Sequence, residues 1–289
     1  MIRPALMLIG AVALAVSGWT VFSSTGDLPG LGSQRINPSL FIPEKFFAAA
    51  KTIDSAIPCD ETIRAGITSH HDLASPLIRQ FFDCVSHANQ PSTIILIGPN
   101  HFHAGNRAVL TARQNWETPF GVLETDAVLV DALFQSDLVE INDSAVAEDH
   151  AAALMMPYLK STFPRAKVVP LLLLYSLERE DIAALRDLIR SNSTDTTLII
   201  GAIDFSHYQA REQAARYDAE TEKFVREFDI DTVLRQGDEH FDSAPGLALI
   251  LSLFDARTEA SLIDHADSSD FGASPAGVTT YFNWIFTRS

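Results

Sequence analysis

The chain has 289 residues, of which 47% are hydrophobic and 20% are charged, a balance typical of a globular protein with a large buried core. Its 37 acidic residues outnumber the 21 lysines and arginines, which gives a formal net charge of −16. Because a negative surface repels phosphate backbones and anionic lipid headgroups, we expect no nucleic-acid partner.

The first 30 residues differ from the rest of the chain. Residues 5–22 carry no charged side chain and follow Arg3, a pattern that predicts a signal peptide or a short membrane anchor. A buried helix of the globular domain is the alternative. Residues 23–30 resemble a linker, so residues 31–289 are expected to form one α/β domain. With Arg3 on the cytoplasmic side, that domain would be extracytoplasmic, either anchored or secreted.

The chain contains two cysteines, Cys59 and Cys84. In an oxidising compartment they would form a disulfide between the first strand region and the following helix. Two buried free thiols are an equally weighted alternative. Neither cysteine lies in a zinc-type spacing.

Predicted helices and strands alternate along the chain. In order they are a helix at 43–51, a strand at 63–68, a helix at 73–89, strands at 93–97 and 107–112, a helix at 125–136, a helical segment at 148–163 interrupted at Pro157, a strand at 167–174, a helix at 177–191, a strand at 197–203, helices at 209–228 and 244–256, and a strand at 278–286. This alternation predicts a single α/β domain with a largely parallel central sheet flanked by helices.

Two histidine motifs follow predicted strands. His70 and His71 come directly after the strand at 63–68, and His101 and His103 follow the strand at 93–97. In open α/β sheets, ligands bind at the carboxyl ends of the strands. Neutral imidazole is a ligand for zinc, iron and copper, so two of these histidines are expected to hold one metal ion. Exposed loop positions are the alternative for His71 and His103.

Three further polar clusters are candidates for chemistry. They are Glu148-Asp149-His150, the Asp204-Phe205-Ser206-His207-Tyr208 segment after the strand at 197–203, and Asp242 with nearby His240. Each acid could instead favour a helix N-terminus or cap a turn. A serine-hydrolase triad through Ser206 and His207 is poorly supported, because no Gly-x-Ser-x-Gly elbow surrounds the serine. The chain also lacks a glycine-rich phosphate loop.

Five ordered motifs resemble those of the Memo family, whose bacterial members are called AmmeMemoRadiSam system protein B. The resemblance covers about residues 60–286. Its motifs are Ile-Leu-Ile-Gly-Pro-Asn-His at 95–101, Glu-Thr-Pro-Phe-Gly at 117–121, Glu-Asp-His at 148–150 followed by Met-Pro-Tyr at 156–158, Val-Val-Pro at 168–170 and Asp-Phe-Ser-His-Tyr at 204–208.

The resemblance implies a fold related to the class III extradiol dioxygenases, which hold non-haem Fe(II) with two histidines and one carboxylate. In Memo proteins the equivalent pocket is lined by two histidines and a cysteine. By motif, the histidines correspond to His70 and His101. The cysteine position falls within residues 241–245, where this chain has no cysteine, and Asp242 is taken as its replacement.

These residues lead to a hypothesis about the site. His70, His101 and Asp242 would bind one divalent metal, with Fe(II) preferred and Zn(II) second. His207 and His150 would act as hydrogen-bond donors or acid/base groups toward a small-molecule substrate, and Asp204 would orient His207 or the neighbouring backbone.

Three functions remain open at this point. The first is a metal-dependent oxidoreductase related to the extradiol dioxygenases. The second is a non-catalytic Memo-like protein that binds a metal or a partner. The third is a zinc-dependent hydrolase, in which the metal lowers the pKa of bound water.

Overall fold

A computed structural model describes residues 33–35, 43–47, 59, 63–254 and 257–288. The predicted signal peptide or anchor and its linker, residues 1–30, lie outside these described residues. Among the described residues, no helix is long and apolar enough to cross a membrane.

Strands and helices alternate through most of the domain. The strands are β1 Ser33–Arg35, β2 Ile63–Thr68, β3 Thr93–Pro99, β4 Val109–Thr111, β5 Asn115–Thr118, β6 Gly121–Leu123, β7 Val139–Ile141, β8 Lys167–Leu173, β9 Thr197–Ala202, β10 Thr258–Asp267 and β11 Thr280–Arg288. The helices are α1 Pro43–Phe46, α2 Ser75–Ala88, α3 Ala127–Leu133, α4 Asp143–Glu148, α5 His150–Ala153, α6 Met155–Thr162, α7 Arg179–Asn192, α8 Arg211–Glu227, α9 Ile230–Val233 and α10 Ala244–Ser252.

The central sheet has eight strands in the order β10-β11-β2-β9-β3-β8-β4-β7. Its middle is parallel, since β2 pairs with β9, β9 with β3 and β3 with β8 in that sense. The antiparallel pairs are β10 with β11, β11 with β2, and β4 with β8. The predicted fold class, a largely parallel sheet flanked by helices, is confirmed.

Strand β3 shows how the core is divided between the two faces of the sheet. Ile95 and Ile97 belong to the apolar cluster that contains residues of α7 and α10. Ile94 and Leu96 belong to the cluster on the other face, which contains residues of α2 and α6. Because successive side chains of a strand point to opposite faces, an uninterrupted apolar strand is buried on both sides.

Five strands were not predicted from the sequence. They are β1, β5, β6, β7 and β10. Strands β5 and β6 form a separate three-stranded sheet with β1. Strands β5, β6 and β7 are only three or four residues long, too short for a period-two pattern. Strand β10 carries polar residues on a sheet edge and lacks the apolar alternation that identifies a half-buried strand.

The helical segment at 148–163 is divided differently from the prediction. The breaks lie at Asp149 and Leu154, between α4, α5 and α6, so the predicted interruption at Pro157 is wrong. Pro157 is the third residue of α6, where the backbone N–H has no partner within the helix. A proline there costs no helical hydrogen bond.

Cys59 and Cys84 form a disulfide, with their Cα atoms 5.1 Å apart. Of the two alternatives left open by the sequence, the structure has the paired one. The bond ties the residues before β2 to helix α2.

Candidate metal centre

Three adjacent parallel strands carry the candidate site at their carboxyl ends. His70 follows β2, His101 follows β3, and Asp204 follows β9, which lies between them in the sheet. The strands are in register at these ends, with Thr68 paired to Ala202. The topology therefore brings together residues that are more than 30 positions apart in sequence.

Asp242 reaches the same edge of the sheet from the segment before α10. The backbone N–H of Asp242 donates to Asp204 O at 3.0 Å, and Asp242 Oδ1 accepts from the backbone N–H of Asp204 at 3.2 Å. Ser243 caps the helix that follows, because its side chain accepts from Gly246 N–H. The N-cap role considered for Asp242 thus belongs to Ser243, which leaves the second carboxylate oxygen of Asp242 for the site.

The predicted ligands face one another through this oxygen. His70 Nε2 lies 3.3 Å from Asp242 Oδ2, and His101 Nε2 lies 3.9 Å from the same atom. The side chains of His70 and Asp242 are 2% and 8% exposed, whereas that of His101 is 24% exposed. The site therefore opens to solvent on the side of His101.

Hydrogen bonds fix the other ring nitrogen of each histidine. His70 Nδ1 is 3.0 Å from Ala202 O, so it carries the proton that the carbonyl accepts. His101 Nδ1 is 2.8 Å from Asp149 Oδ1 and donates to that carboxylate. Both rings then present Nε2 toward Asp242 with its lone pair available, the arrangement found in histidines that bind metals.

Asp149 holds His101 by both its side chain and its backbone. Asp149 Oδ2 accepts from the backbone N–H of His101 at 2.9 Å, and Oδ1 also accepts from Ala151 N–H at the start of α5. Burial raises the pKa of Asp149, but the hydrogen bonds and charge of His101 and the bond from Ala151 outweigh it and hold the pKa below its ordinary value. Asp149 thus caps a helix and orients His101 at the same time.

Asp204 holds the segment that carries His70. Its Oδ1 accepts from Ser69 Oγ at 2.5 Å and from the backbone N–H of His70 at 3.2 Å, while Oδ2 lies 3.9 Å from His70 Nε2. His207 is fixed separately, since its backbone N–H donates to Asp238 O. The carboxylate of Asp204 therefore accepts hydrogen bonds from the Ser69 side chain and the His70 backbone after β2.

His150 completes a cluster of three imidazoles. Its ring stacks on that of His101 with centroids 3.9 Å apart, and its centroid is 5.1 Å from that of His70. Burial, followed by the charge of His101, lowers the pKa of His150. His150 is therefore a neutral ring in contact with both predicted histidine ligands.

Burial sets the charges of the two residues at the centre. It lowers the pKa of His70 from 6.5 to about 3, so the ring is neutral at physiological pH. Burial and the negative charge of Asp204 raise the pKa of Asp242 well above its ordinary value. A buried carboxyl with a raised pKa takes up a proton or a cation, because its ionised form lacks compensation in the protein.

Asp242 Oδ2 is a buried oxygen that makes no hydrogen bond within the described part of the chain. Leaving such a group unsatisfied costs about 1–3 kcal/mol, yet two imidazole nitrogens are aimed at it. A divalent cation would satisfy all three groups at once. The donor set, two imidazoles and one carboxylate, therefore fits a metal ion.

Two overlapping groups of donors lie close enough to share a cation. In each group the donor atoms are within 4.8 Å of one another; the first group is His70, His101 and His150, and the second is His70, Asp204 and Asp242. His70 belongs to both groups.

The remaining histidines of the two motifs have other surroundings. His71 is half-exposed, and its Nδ1 accepts from Leu73 N–H; His103 is exposed. Neither belongs to the two donor groups described above. Two roles were not predicted from the sequence: the hydrogen bond of Ser69 to Asp204 and the orientation of His101 by Asp149. Each residue is adjacent to a histidine of the candidate site, and this position was the one clue that the sequence offered.

Comparison with known proteins identifies the family. Among curated relatives, a MEMO1 family protein of Methanosarcina mazei is 28% identical over 203 residues, covering 66% of this chain and 74% of that protein. A MEMO1 family protein of Methanopyrus kandleri is 24% identical over 243 residues, covering 80% and 85%. Among solved structures, an uncharacterized protein from Escherichia coli K12 aligns with 77% of this chain and 99% of its own, with a TM-score of 0.49 and 11% identity. The family model described as Memo-like protein matches residues 47–285, and the chain therefore belongs to the Memo-like protein family.

Proposed function

We propose that the protein is a metal-dependent oxidoreductase of the non-haem iron type. His70, His101 and Asp242 would hold one divalent cation, with Fe(II) favoured and Zn(II) second. The observation that carries the proposal is the buried Oδ2 of Asp242, which makes no hydrogen bond to a described residue and has the Nε2 atoms of His70 and His101 at 3.3 and 3.9 Å.

The chemistry of this donor set favours iron. Two histidines and one carboxylate leave coordination positions open, which in non-haem Fe(II) enzymes take oxygen and substrate. The resemblance to AmmeMemoRadiSam system protein B and to the class III extradiol dioxygenases supports the same reaction class. Memo proteins have a cysteine where this chain has Asp242, so this chain carries the carboxylate-containing set.

Other pocket residues would handle protons. His207 is partly buried and its Nδ1 makes no hydrogen bond to a described residue. Burial lowers its pKa, against the opposing charge of Asp204, so its neutral ring can accept a proton from a bound hydroxyl group. His150 would serve the same purpose on the side of His101. Asp204 would position His70, and its carboxylate would supply a negative charge close to His207.

Zinc-dependent hydrolysis is the second candidate. The observation in its favour is the cluster of three imidazoles formed by His70, His101 and His150. Three histidines with a bound water are a frequent ligand set of catalytic zinc, and the bound water then has a pKa of about 7.

The disulfide bears on where the protein works. Disulfides persist in oxidising compartments and are rare in the cytosol. The pairing of Cys59 with Cys84 supports an extracytoplasmic location, together with the apolar segment at residues 5–22.

Oxygen consumption separates these candidates. The full chain would be loaded with Fe(II) under anaerobic conditions or with Zn(II), and each form assayed with a series of catechols in an oxygen electrode and with ester substrates. His101→Ala serves as the site variant. His71→Ala is the matched control, because His71 is adjacent to His70 in sequence but belongs to neither donor group.

The expected result is oxygen uptake by the Fe(II) form that is retained in His71→Ala and lost in His101→Ala. Ester hydrolysis by the Zn(II) form alone would favour the hydrolase. Tight metal binding with no turnover by either form would contradict catalysis and favour a metal- or partner-binding role.

A further inference from the structure

The candidate site offers more donors than one cation of the proposed type requires. Beyond His70, His101 and Asp242, His150 has a donor atom within 4.8 Å of those of His70 and His101, and Asp204 has one within 4.8 Å of those of His70 and Asp242. Asp204 Oδ2 lies 3.9 Å from His70 Nε2, and the His150 ring contacts both other imidazoles. These two extra donors differ in chemistry, since His150 offers an imidazole nitrogen and Asp204 a carboxylate oxygen.

The two groups differ in the cations that they suit. Three neutral imidazoles favour borderline cations such as Zn(II) and Co(II), whereas carboxylate-rich sets favour harder ones such as Mn(II). The group of His70, Asp204 and Asp242 is buried throughout, and one divalent cation would neutralise the combined charge of its two ionised carboxylates. Burial without compensation is costly for such a pair.

Other contacts leave both extra donors free for this role. Asp204 uses Oδ1 for Ser69 and the His70 backbone, so a cation at Oδ2 would break neither hydrogen bond. His150 lies at the first position of α5 and is half-buried. Its Nδ1 is 3.9 Å from Asp149 Oδ1, beyond hydrogen-bond distance, so Asp149 does not occupy this ring nitrogen.

We propose that His150 and Asp204 are alternative metal ligands that set the metal selectivity of the site. His150 joins His70 and His101 around a borderline cation, and Asp204 joins His70 and Asp242 around a harder one. The proposal rests on the proposed function, because it concerns ligands of the same cation. It also gives His150 two roles, ligand in one metal form and free imidazole in the other.

The test is a competition between two metals. The full chain and its His150→Ala and Asp204→Asn variants would be equilibrated with Zn(II) and Mn(II), alone and together, and the bound metals measured by mass spectrometry. Asn at position 204 keeps an oxygen for Ser69 and the His70 backbone and removes only the second carboxylate oxygen. His71→Ala is the matched control, and thermal melting reports whether each variant is folded.

Opposite changes in selectivity are expected. His150→Ala should weaken Zn(II) binding about 10- to 100-fold while leaving Mn(II) binding within about 2-fold. Asp204→Asn should weaken Mn(II) binding by a similar factor and spare Zn(II), and His71→Ala should change neither. The visible spectrum of the Co(II) form should also change in His150→Ala, because an imidazole ligand is lost.

Several results would overturn the inference. Equal weakening of both metals in His150→Ala would make His150 a positioning residue, and unchanged binding with an unchanged Co(II) spectrum would make it a bystander. Because His150 is half-buried at a helix start, its variant alone decides the matter if Asp204→Asn does not fold. Failure of the parent protein to bind either metal would instead refute the proposed function itself.

Discussion

Two groups of acidic residues in this molecule have different hydrogen-bond partners. Around the turn after β10, Asp267 accepts from Ser269 N–H and from Arg211 Nε, at 2.8 and 2.6 Å. Asp270 accepts from Asp267 N–H and from Arg211 Nη2, at 3.0 and 2.8 Å. Every carboxylate oxygen there has a fixed donor, and the negative charge is met by a guanidinium.

The acids at the carboxyl end of the central strands are surrounded by imidazoles instead. Asp149 is fully satisfied by His101 and Ala151, but Asp242 Oδ2 has no hydrogen bond among the described residues. A chain selected only for stability would neutralise or replace such a group, since it costs about 1–3 kcal/mol. The acids at the turn are satisfied within the fold, whereas Asp242 Oδ2 is placed where a cation could bind it.

The largest effect is expected from replacing the unpartnered carboxylate. Asp242→Asn should weaken metal binding by more than about 100-fold. Loss of a residue that only hydrogen-bonds to a metal ligand already costs about 10–100-fold in affinity, and Asp242 is proposed as a ligand itself. The metal-free protein should be as stable as the parent or more stable by up to about 2 kcal/mol, because the new amide can donate to His70 Nε2. Isothermal titration and urea denaturation measure the two quantities. A clear loss of stability without metal would show that Asp242 supports the fold.

A smaller effect is expected from the carboxylate that orients a ligand. Asp149→Ala removes the acceptor of His101 Nδ1–H and should weaken metal binding about 10- to 100-fold. It also removes the cap of α5, at a cost of about 1 kcal/mol. The same titration, with thermal melting as the check on folding, tests both. Unchanged affinity would mean that packing against His150 is enough to orient His101.

The turn acids should behave in the opposite way. Asp267→Ala removes the ion pair with Arg211 and the cap of the turn at Ser268–Phe271, so it should lower the free energy of unfolding by about 1–2 kcal/mol. Metal affinity should stay within about 2-fold of the parent. A large loss of metal binding in this variant would contradict the assignment of Asp267 to stability alone.

The smallest expected effect is a pH dependence at this same turn. Burial raises the pKa of Asp267, but hydrogen bonds from Ser269 and the charge of Arg211 outweigh it and lower the pKa. Its contribution to stability is therefore present above the unfolded pKa of about 3.9 and is lost as the pH falls through the lower folded value. From about pH 5 to about pH 3, the stability difference between parent and Asp267→Ala should shrink by less than about 1 kcal/mol. A constant difference in urea denaturation would contradict this assignment.

The fold was predictable wherever a segment was long and periodic. The apolar run of β3 and the amphipathic helices α2 and α7 were predicted close to their observed bounds, because burial on one or both faces dictates their composition. Strands β5 and β10 were not, since their pairing depends on distant partners rather than on a local pattern. The break before α5 also depends on a tertiary contact, the hydrogen bonds of Asp149 to His101.

The candidate site was predictable to a similar extent. The positions of His70 and His101 after parallel strands were enough to expect them at one edge of the sheet. Asp242 was one of several candidate acids, and only the resemblance to the Memo family selected it as a metal ligand. Nothing in the local sequence distinguishes its carboxylate from a helix cap, and the structure gives the cap to Ser243. The stacking of His150 on His101 lay beyond sequence analysis, because it depends on how α5 packs against β3.

The metal content of the purified full chain tests the central claim most directly. Plasma mass spectrometry would be applied to the parent protein and to the His70→Ala/His101→Ala double variant, both prepared without added metal and again after anaerobic loading with Fe(II). We expect about one equivalent of iron or zinc in the parent and almost none in a folded double variant. Absence of metal from the parent even after loading, or equal metal in both proteins, would contradict it.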